Sequence, residues 1–493
     1  MLRVIGNDQN LPRQEHATTS GAITNGTAVV ANSNGTVGAA AEAVSFLEGT
    51  AVNFSSQFDG GVGYDSTNNK IIVAWADESN NGYGSVKIGT VDPSDNSITF
   101  GTTVVFESAQ VFVKHGSIAH DVANNKIVIA YKDVGNSNNG TAIVGTISGT
   151  SISFGTPVVY STGTNVVSNT ATYSPTDEKI LITYRLGSLG KAIVGTVSGT
   201  SISFGSEVEY NSSASSVSVA YITTAGKFCV YYKASGSYPS GQTEARIATI
   251  SGTSVSFGSA NQISHTSDAA NNQTNYGRAV YDTKNDKMIF TWNESGDGSH
   301  AVVGTVSGTS ISTGTVVNFD GESVSTDMGV VFDESVGKVF ISYRANVSGT
   351  NLRKFIIGTV SGTSISFNTE DDFGPNVGSA SKHTTVYDSG SKRVVIAYDD
   401  QENSEIGYVT VFTIAGTAQN ITSENYIGIA RSGAASGAGI IVDTQGAVAN
   451  NLSGLTPGQS YFVQTDGTLG TTAADPSVFA GTAVSATELI VKG

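Results

Sequence analysis

The 493-residue sequence contains a single cysteine, Cys229, which excludes intramolecular disulfides and a cysteine metal site. No apolar run reaches the roughly 18–20 residues that a membrane-crossing helix needs, so no membrane insertion is expected. Lys and Arg total 25 against 41 Asp and Glu, and no stretch of sequence concentrates them. With a net charge of −16 there is no basic footprint for a polyanion, and nucleic acid is not expected as a partner. Charged residues make up only 13%, about half the usual share of roughly 25%, and 58 glycines and many small polar residues replace them. His16, His115, His120, His265, His300 and His383 are scattered without the spacing of a metal-binding helix. No nucleophile elbow, P-loop or other catalytic phrase occurs.

What the chain has is repetition. A phrase of the form G-T-V/I-S-G-T-S-I-S-F-G begins at Gly145, Gly195, Ala248, Gly304 and Gly358. A diverged copy starts at Gly89 and a frayed one lies around Thr413. Successive copies from Gly89 to Gly358 start 50–56 residues apart, a period that belongs to propellers and solenoids. The cut of the repeat decides between them. The seventh unit lacks its final strand, while AVSFLEGTAVNF (Ala43 to Phe54) resembles SISFGTPVVY (Ser151 to Tyr160) with two residues inserted. A linear solenoid has no use for such an orphan strand. A ring does, because the strand completes the last blade.

Each unit reads as four short strands. The first ends in an aromatic slot, usually followed by an acid, as in Tyr64-Asp65, Tyr281-Asp282 and Tyr387-Asp388, with His120 in the same place in one unit. The second is the most apolar and ends in Trp75, Tyr131, Tyr184, Tyr232, Trp292, Tyr343 or Tyr398. Near-continuous apolar character fits a strand covered on both faces. Cys229 occupies a slot held elsewhere by Ile72 and Val128, so it reads as a small core residue. The third and fourth runs alternate around a Gly-Thr pair suited to a tight hairpin.

The first-to-second turns are short and alike, and serve only to reverse the chain on this reading. The second-to-third and fourth-to-first connections, on the opposite face, differ widely. Function concentrates in variable loops on a rigid scaffold, so that face is the expected binding surface. Its candidate residues are Asp77, Tyr83, Asp133, Tyr238, Tyr276, Asp297, Asp399 and Glu402. The tyrosines are of a kind that stacks on sugars. The acids could ligate calcium, but their spacing matches no EF-hand or glycine-rich calcium repeat, so no cofactor is expected. A glycosidase needs two carboxylates flanking one bond, and nothing singles out such a pair.

The two ends read as one small β domain, residues 1–42 with 418–493, leaving 43–417 for the propeller and 43–54 as its closing strand. GAITNGTAVVANSNGTVGAA (Gly21 to Ala40) is a hairpin with Asn-Gly turns, and GQSYFVQTDGTLG (Gly458 to Gly470) repeats its pattern. The segment from SGLTPGQSYFVQTDGTLG to ATELIVKG resembles the C-terminal module of tail-fibre and related structural proteins of tailed bacteriophages, especially marine ones. MLRVIGNDQNLPRQ and the hairpin after it resemble the start of such proteins.

The resemblance covers roughly 110 residues and implies a virion component, assembled in the host cytoplasm and released by lysis. The absence of a signal-like apolar stretch at the start agrees with that expectation. The leading expectation is a non-enzymatic virion protein of the tail-fibre or receptor-binding type. Its terminal domain would bind other virion proteins, and its propeller a host-surface glycan or receptor. A capsid or tail decoration protein is the alternative. A propeller polysaccharide-degrading enzyme is a third, although the sialidase S-x-D-x-G-x-x-W boxes are absent.

Overall fold

A computed structural model describes residues 14–492, apart from 22, 41, 164–165, 235–241, 264–273, 295–297, 322, 348–349, 375–381, 401–403, 423, 451, 465–466 and 475. No α-helix occurs among the described residues, and the chain divides into two compact units, 46–414 and 1–45 with 415–493.

Unit 46–414 is a seven-bladed β-propeller. In blade 3, for example, Val166–Ser174 pairs with Lys179–Leu186, which pairs with Leu189–Ser198, and the outer edge is shared by Ser201–Phe204 and Val208–Asn211. The outermost strand is thus broken in two in this way in each blade. Between blades 1 and 2 the backbone pairing is continuous, because Val104–Phe112 leaves its own blade to pair Val111 with Asp133 and Phe112 with Lys132. In blade 7 the outer edge comes from the start of the chain. Glu42–Glu48 and Val52–Ser55 both pair with Ile406–Gln419, so a single N-terminal passage closes the ring.

The second strands are covered on both faces, as their apolar runs require. In Lys70–Asp77, Ile72 and Ala74 pack with Ile127, Ile129 and Tyr131 of blade 2, whereas Ile71, Val73 and Trp75 pack with Val395 and Ala397 of blade 7. All seven terminal aromatics of these strands are buried. Buried Tyr hydroxyls need partners, and acids supply them: Tyr131 donates to Glu107 (3.0 Å), Tyr232 to Glu244 (2.8 Å) and Tyr343 to Glu370 (2.6 Å). Cys229 is wholly buried, and burial pushes its thiol far above the usual range.

Glycine is required at two kinds of position. In the Gly-Thr hairpins Gly149, Gly199, Gly252, Gly308 and Gly362 all have φ between +59° and +64°, the first-position geometry of a two-residue hairpin turn. After the fourth strand the reason is steric. A Cβ on Gly155 or Gly205 would overlap the carbonyl oxygen of Thr200 or Thr253 in the next blade's hairpin. Gly49 stands in the same relation to Asn96 of blade 1, which marks the N-terminal passage as the seventh copy of the outer strand.

The first-to-second turns do more than reverse the chain, which corrects the sequence reading. Where an acid follows the inner-strand aromatic, it pins its own turn: Asp65 accepts from the backbone of Thr67 (2.9 Å) and Asn68 (3.0 Å), and Asp388 from Gly390 and Ser391 (both 3.0 Å). The aromatic then grips the turn of the preceding blade. His120 accepts from Ser66 N (3.2 Å), Tyr173 from Ala123 N (3.3 Å), and Tyr221 donates to Thr176 (2.7 Å). Tyr281 bonds Thr224 (2.9 Å), and Tyr64 of blade 1 accepts from Gly390 N of blade 7 (2.9 Å), carrying the series across the closure.

Unit 1–45 with 415–493 contains two five-stranded sheets. Gln14–Thr18, Ala28–Ala31 and Val37–Ala39 join Tyr426–Ala430 and Gly439–Asp443 in one of them. The other is built from the tail alone, from Val448–Ala449 to Leu489–Val491. Ala28, Val30, Tyr426 and Ile429 of the first share a buried core with Tyr461, Val463 and Leu489 of the second. The expected Asn-Gly turns are present, with φ +80° at Gly26 and +79° at Gly35.

Candidate functional site

A cavity lined by the inner strands of many blades lies on the ring axis. A second cavity lies beside it among the described residues, and His115 and Val217 line both. The larger, about 440 Å³, is lined by all seven inner strands and reaches the ring of Tyr64, His120, Tyr173, Tyr221 and Tyr281 beside the first-to-second turns. Those rings are committed to the inter-blade bonds described above.

The smaller cavity, about 320 Å³, lies where the fourth-to-first connections enter the inner strands, and its lining differs in kind. Lys114, Arg185, Arg278 and Lys382 border it, together with one carboxylate, Asp59. Asp59 is shared: its two carboxylate oxygens lie 2.6 Å from the ammonium of Lys114 and 3.4 Å from that of Lys382. The Nε of Arg185 is shielded from solvent and has no hydrogen-bond partner among the described residues. In a chain of net charge −16, four cations facing one carboxylate among the described residues form a local reversal of sign.

Two imidazoles complete the wall. His383 Nε2 donates to the carbonyl of Ser342 (3.2 Å), and burial with the nearby Arg353, Arg278 and Arg344 holds its pKa down at about 3. His115 bonds Thr384 through Nδ1 (2.7 Å), and burial, Arg278 and His383 hold it well below its ordinary value. Both rings are therefore neutral at pH 7.

The backbone here is irregular. Blades 3 and 4 carry a bulge at the same place in their inner strands, between Val167 and Thr170 and between Ser215 and Ser218. Ser168 and Ser216, which line the cavity, sit in these bulges with φ of +54° and +49°. A serine in the left-handed region is strained by about 1 kcal/mol or more, and bulges re-aim side chains beside functional sites.

The residues singled out from the sequence fall elsewhere. Asp77 closes a strand and accepts from Ser79 (2.6 Å); Tyr83 is half-buried at the start of Tyr83–Asp92. Asp133 is buried and accepts from Asn136 N (3.0 Å), so it orders its own loop. Asp399 must be corrected: it is no loop acid but a fully buried member of strand Arg393–Asp400, bonded to Arg353. Tyr238, Asp297 and Glu402, and the side chain of Tyr276 in strand Thr274–Asp282, lie outside the described residues. Among the described residues no three His, Cys, Asp or Glu side chains converge as metal ligands.

No family model matches the chain, nor does any curated protein. Solved structures do. The chain is similar to a protein from Lactobacillus plantarum (9% identity, TM-score 0.46, covering 72% of this chain and 95% of that one). It is also similar to the Dos1 propeller (9%, 0.44, 75% and 95%) and to PpgL, the periplasmic gluconolactonase of Pseudomonas aeruginosa (10%, 0.46, 74% and 96%). At such identities the likeness is one of fold alone.

Proposed function

We propose that the protein is a non-enzymatic recognition component of a tailed-phage particle. The propeller presents the binding face, and the unit built from both termini attaches it to other virion proteins. The observation that carries the recognition half is the axial cavity. It offers fixed charge and neutral imidazoles, while Asp59, its single carboxylate among the described residues, is already engaged by two lysines. Such a lining holds a ligand, and among its described residues there is no second carboxylate of the kind that acid–base hydrolysis of a sugar would require. The virion half rests on the terminal segments and their resemblance to phage structural proteins.

Purified full-length protein should compete with phage particles for adsorption to host cells, and release no reducing sugar from host capsule or lipopolysaccharide. Antibody labelling of intact particles should mark the tail. Capsid labelling without an effect on adsorption would replace this reading with a decoration protein. Reproducible sugar release would replace it with an enzyme.

A further inference from the structure

We propose that the axial cavity bounded by Lys114, Arg185, Arg278 and Lys382 is a binding site for a small oxyanion-bearing ligand, namely an acidic sugar. This deepens the recognition reading, on which the choice of a sugar rests; the oxyanion chemistry stands on the cavity alone.

Charge comes first. Among the described residues, four cations from four different blades meet one carboxylate, and cavities lined mainly by one sign concentrate counter-ions far more than an open surface does. The excess is local, because the chain as a whole is strongly acidic. A long polyanion would be repelled by the rest of the molecule, whereas a ligand small enough to enter the cavity meets mainly the cations.

Size comes next. A volume of about 320 Å³ is at the lower end of the roughly 300–1,000 Å³ of small-molecule sites, which suits one sugar ring better than an extended chain. Chemistry then selects the charged group. Guanidinium pairs with carboxylate and phosphate in a planar, two-pronged way, and the shielded Nε of Arg185 is a donor with no partner among the described residues. Ser168 and Ser216 supply hydroxyls at positions where the backbone is strained, and strain of this sort persists where a site over-determines it. The imidazoles add polar groups without adding charge.

Asp59 makes the inference sharply testable. As the competitor for Lys114 and Lys382, it should weaken anion binding, so its removal should strengthen it. Full-length protein would be titrated calorimetrically at low salt with glucuronate, galacturonate, glucose 6-phosphate, inorganic phosphate and neutral glucose. The acidic ligands should bind, glucose should not, and affinity should fall as salt is raised.

Arg185→Gln and Lys114→Gln should weaken binding by about tenfold or more. Asp59→Asn should tighten it severalfold, and Lys287→Gln, which removes a cation outside the cavity lining, should leave it unchanged. A merely structural role for these residues cannot produce opposite signs from Arg185→Gln and Asp59→Asn. Melting temperatures without ligand would be measured for every variant, and Arg185→Lys serves if Arg185→Gln fails to fold.

A preference for the acidic sugars over inorganic phosphate assigns the site to a glycan; equal affinity assigns it to the free ion and removes the sugar. No binding of any anion, or equal weakening by Lys287→Gln, overturns the proposal. Anion binding without competition for host adsorption would keep the oxyanion site and remove the recognition reading.

Discussion

Arg353 and Asp399 form an ion pair with no exposed side-chain surface, the guanidinium Nη2 standing 3.1 Å from Oδ1. Arg353 lies in the third strand of blade 6 and Asp399 in the second strand of blade 7, so the pair ties two blades together. The same carboxylate oxygen accepts from the backbone N–H of Lys382 (2.7 Å), and the guanidinium stacks on Tyr398 with 4.6 Å to the ring centroid. An acid that looks like a loop ligand in the sequence is instead the internal support of an axial cation.

Removing one member of such a pair leaves a buried charge uncompensated, at a cost of about 3–5 kcal/mol. Asp399→Ala should therefore destabilise the propeller by that order in chemical denaturation, and should also weaken any anion binding through displacement of Lys382. An Asp399→Ala protein as stable as the parent would show that the pair contributes nothing.

The outer-strand glycines predict a graded result. Gly155→Ala places a Cβ against the Thr200 carbonyl and should cost roughly 1–3 kcal/mol by overpacking. Gly149→Ala meets no neighbour, and its cost of about 1 kcal/mol comes from a φ of +62° alone. Gly49→Val acts at the closing passage, against Asn96, and should lower the melting temperature more than either. Equal shifts for Gly49→Val and Gly149→Ala would separate the N-terminal passage from the blade series.

Repetition explains why the fold was legible and the site was not. Seven copies of an aromatic at the end of an apolar strand announce blades, and the misplaced copy at Ala43 to Phe54 announces closure. The cavity draws Lys114, Arg185, Arg278 and Lys382 from blades 2, 3, 5 and 7, one each, so no window of sequence contains a basic cluster. His115 and His383 meet for the same reason although 268 positions separate them.

A signal was nevertheless present when the units are laid over one another. The position directly after the second-strand aromatic is Lys132, Arg185, Lys233 and Arg344 in four units, with Asp399 in a fifth. Reading down that column, rather than along the chain, would have singled out Arg185, the one member of the column that lines the cavity, but not Lys114, Arg278 or Lys382. The bulges at Ser168 and Ser216 had no such signal, because serine gives no hint of a left-handed backbone.

The buried imidazoles predict acid sensitivity. The His383 pKa is near 3 when folded and near 6.5 when unfolded, so between those values the unfolded chain binds the extra proton. Stability contributed by this histidine is therefore present above pH 6.5 and is lost as pH falls through that window, by up to about 1.4 kcal/mol per pH unit. His115, also held low, acts with the same sign. Melting temperature measured from pH 7 to pH 4 should fall less steeply for His383→Asn than for the parent. Parallel curves would mean that His383 takes up its proton at the same pH in the fold as in the unfolded chain.

The last expectation concerns the inter-blade grip at the closure. Tyr64 donates to Asn69 (2.8 Å) and accepts from Gly390 N, and burial with the Asp388 carboxylate beside it pushes its hydroxyl up to about 12. Each such bond contributes about 0.5–1.5 kcal/mol. Equivalent bonds in blades 2 to 5 join neighbours that are already consecutive in sequence, whereas Tyr64 joins the two ends of the ring. Its loss should therefore show in kinetics as well as in stability. Tyr64→Phe should speed unfolding and raise protease cleavage near the closing passage, while Tyr221→Phe, removing the bond to Thr176, should alter stability by a similar amount without that local effect. Blade 6 has Phe332 in the slot and so no hydroxyl to offer, which shows that one blade can do without the bond. Identical protease patterns for Tyr64→Phe and Tyr221→Phe would mean that blade 7 is held by its backbone pairing with Glu42–Glu48 and Val52–Ser55 alone.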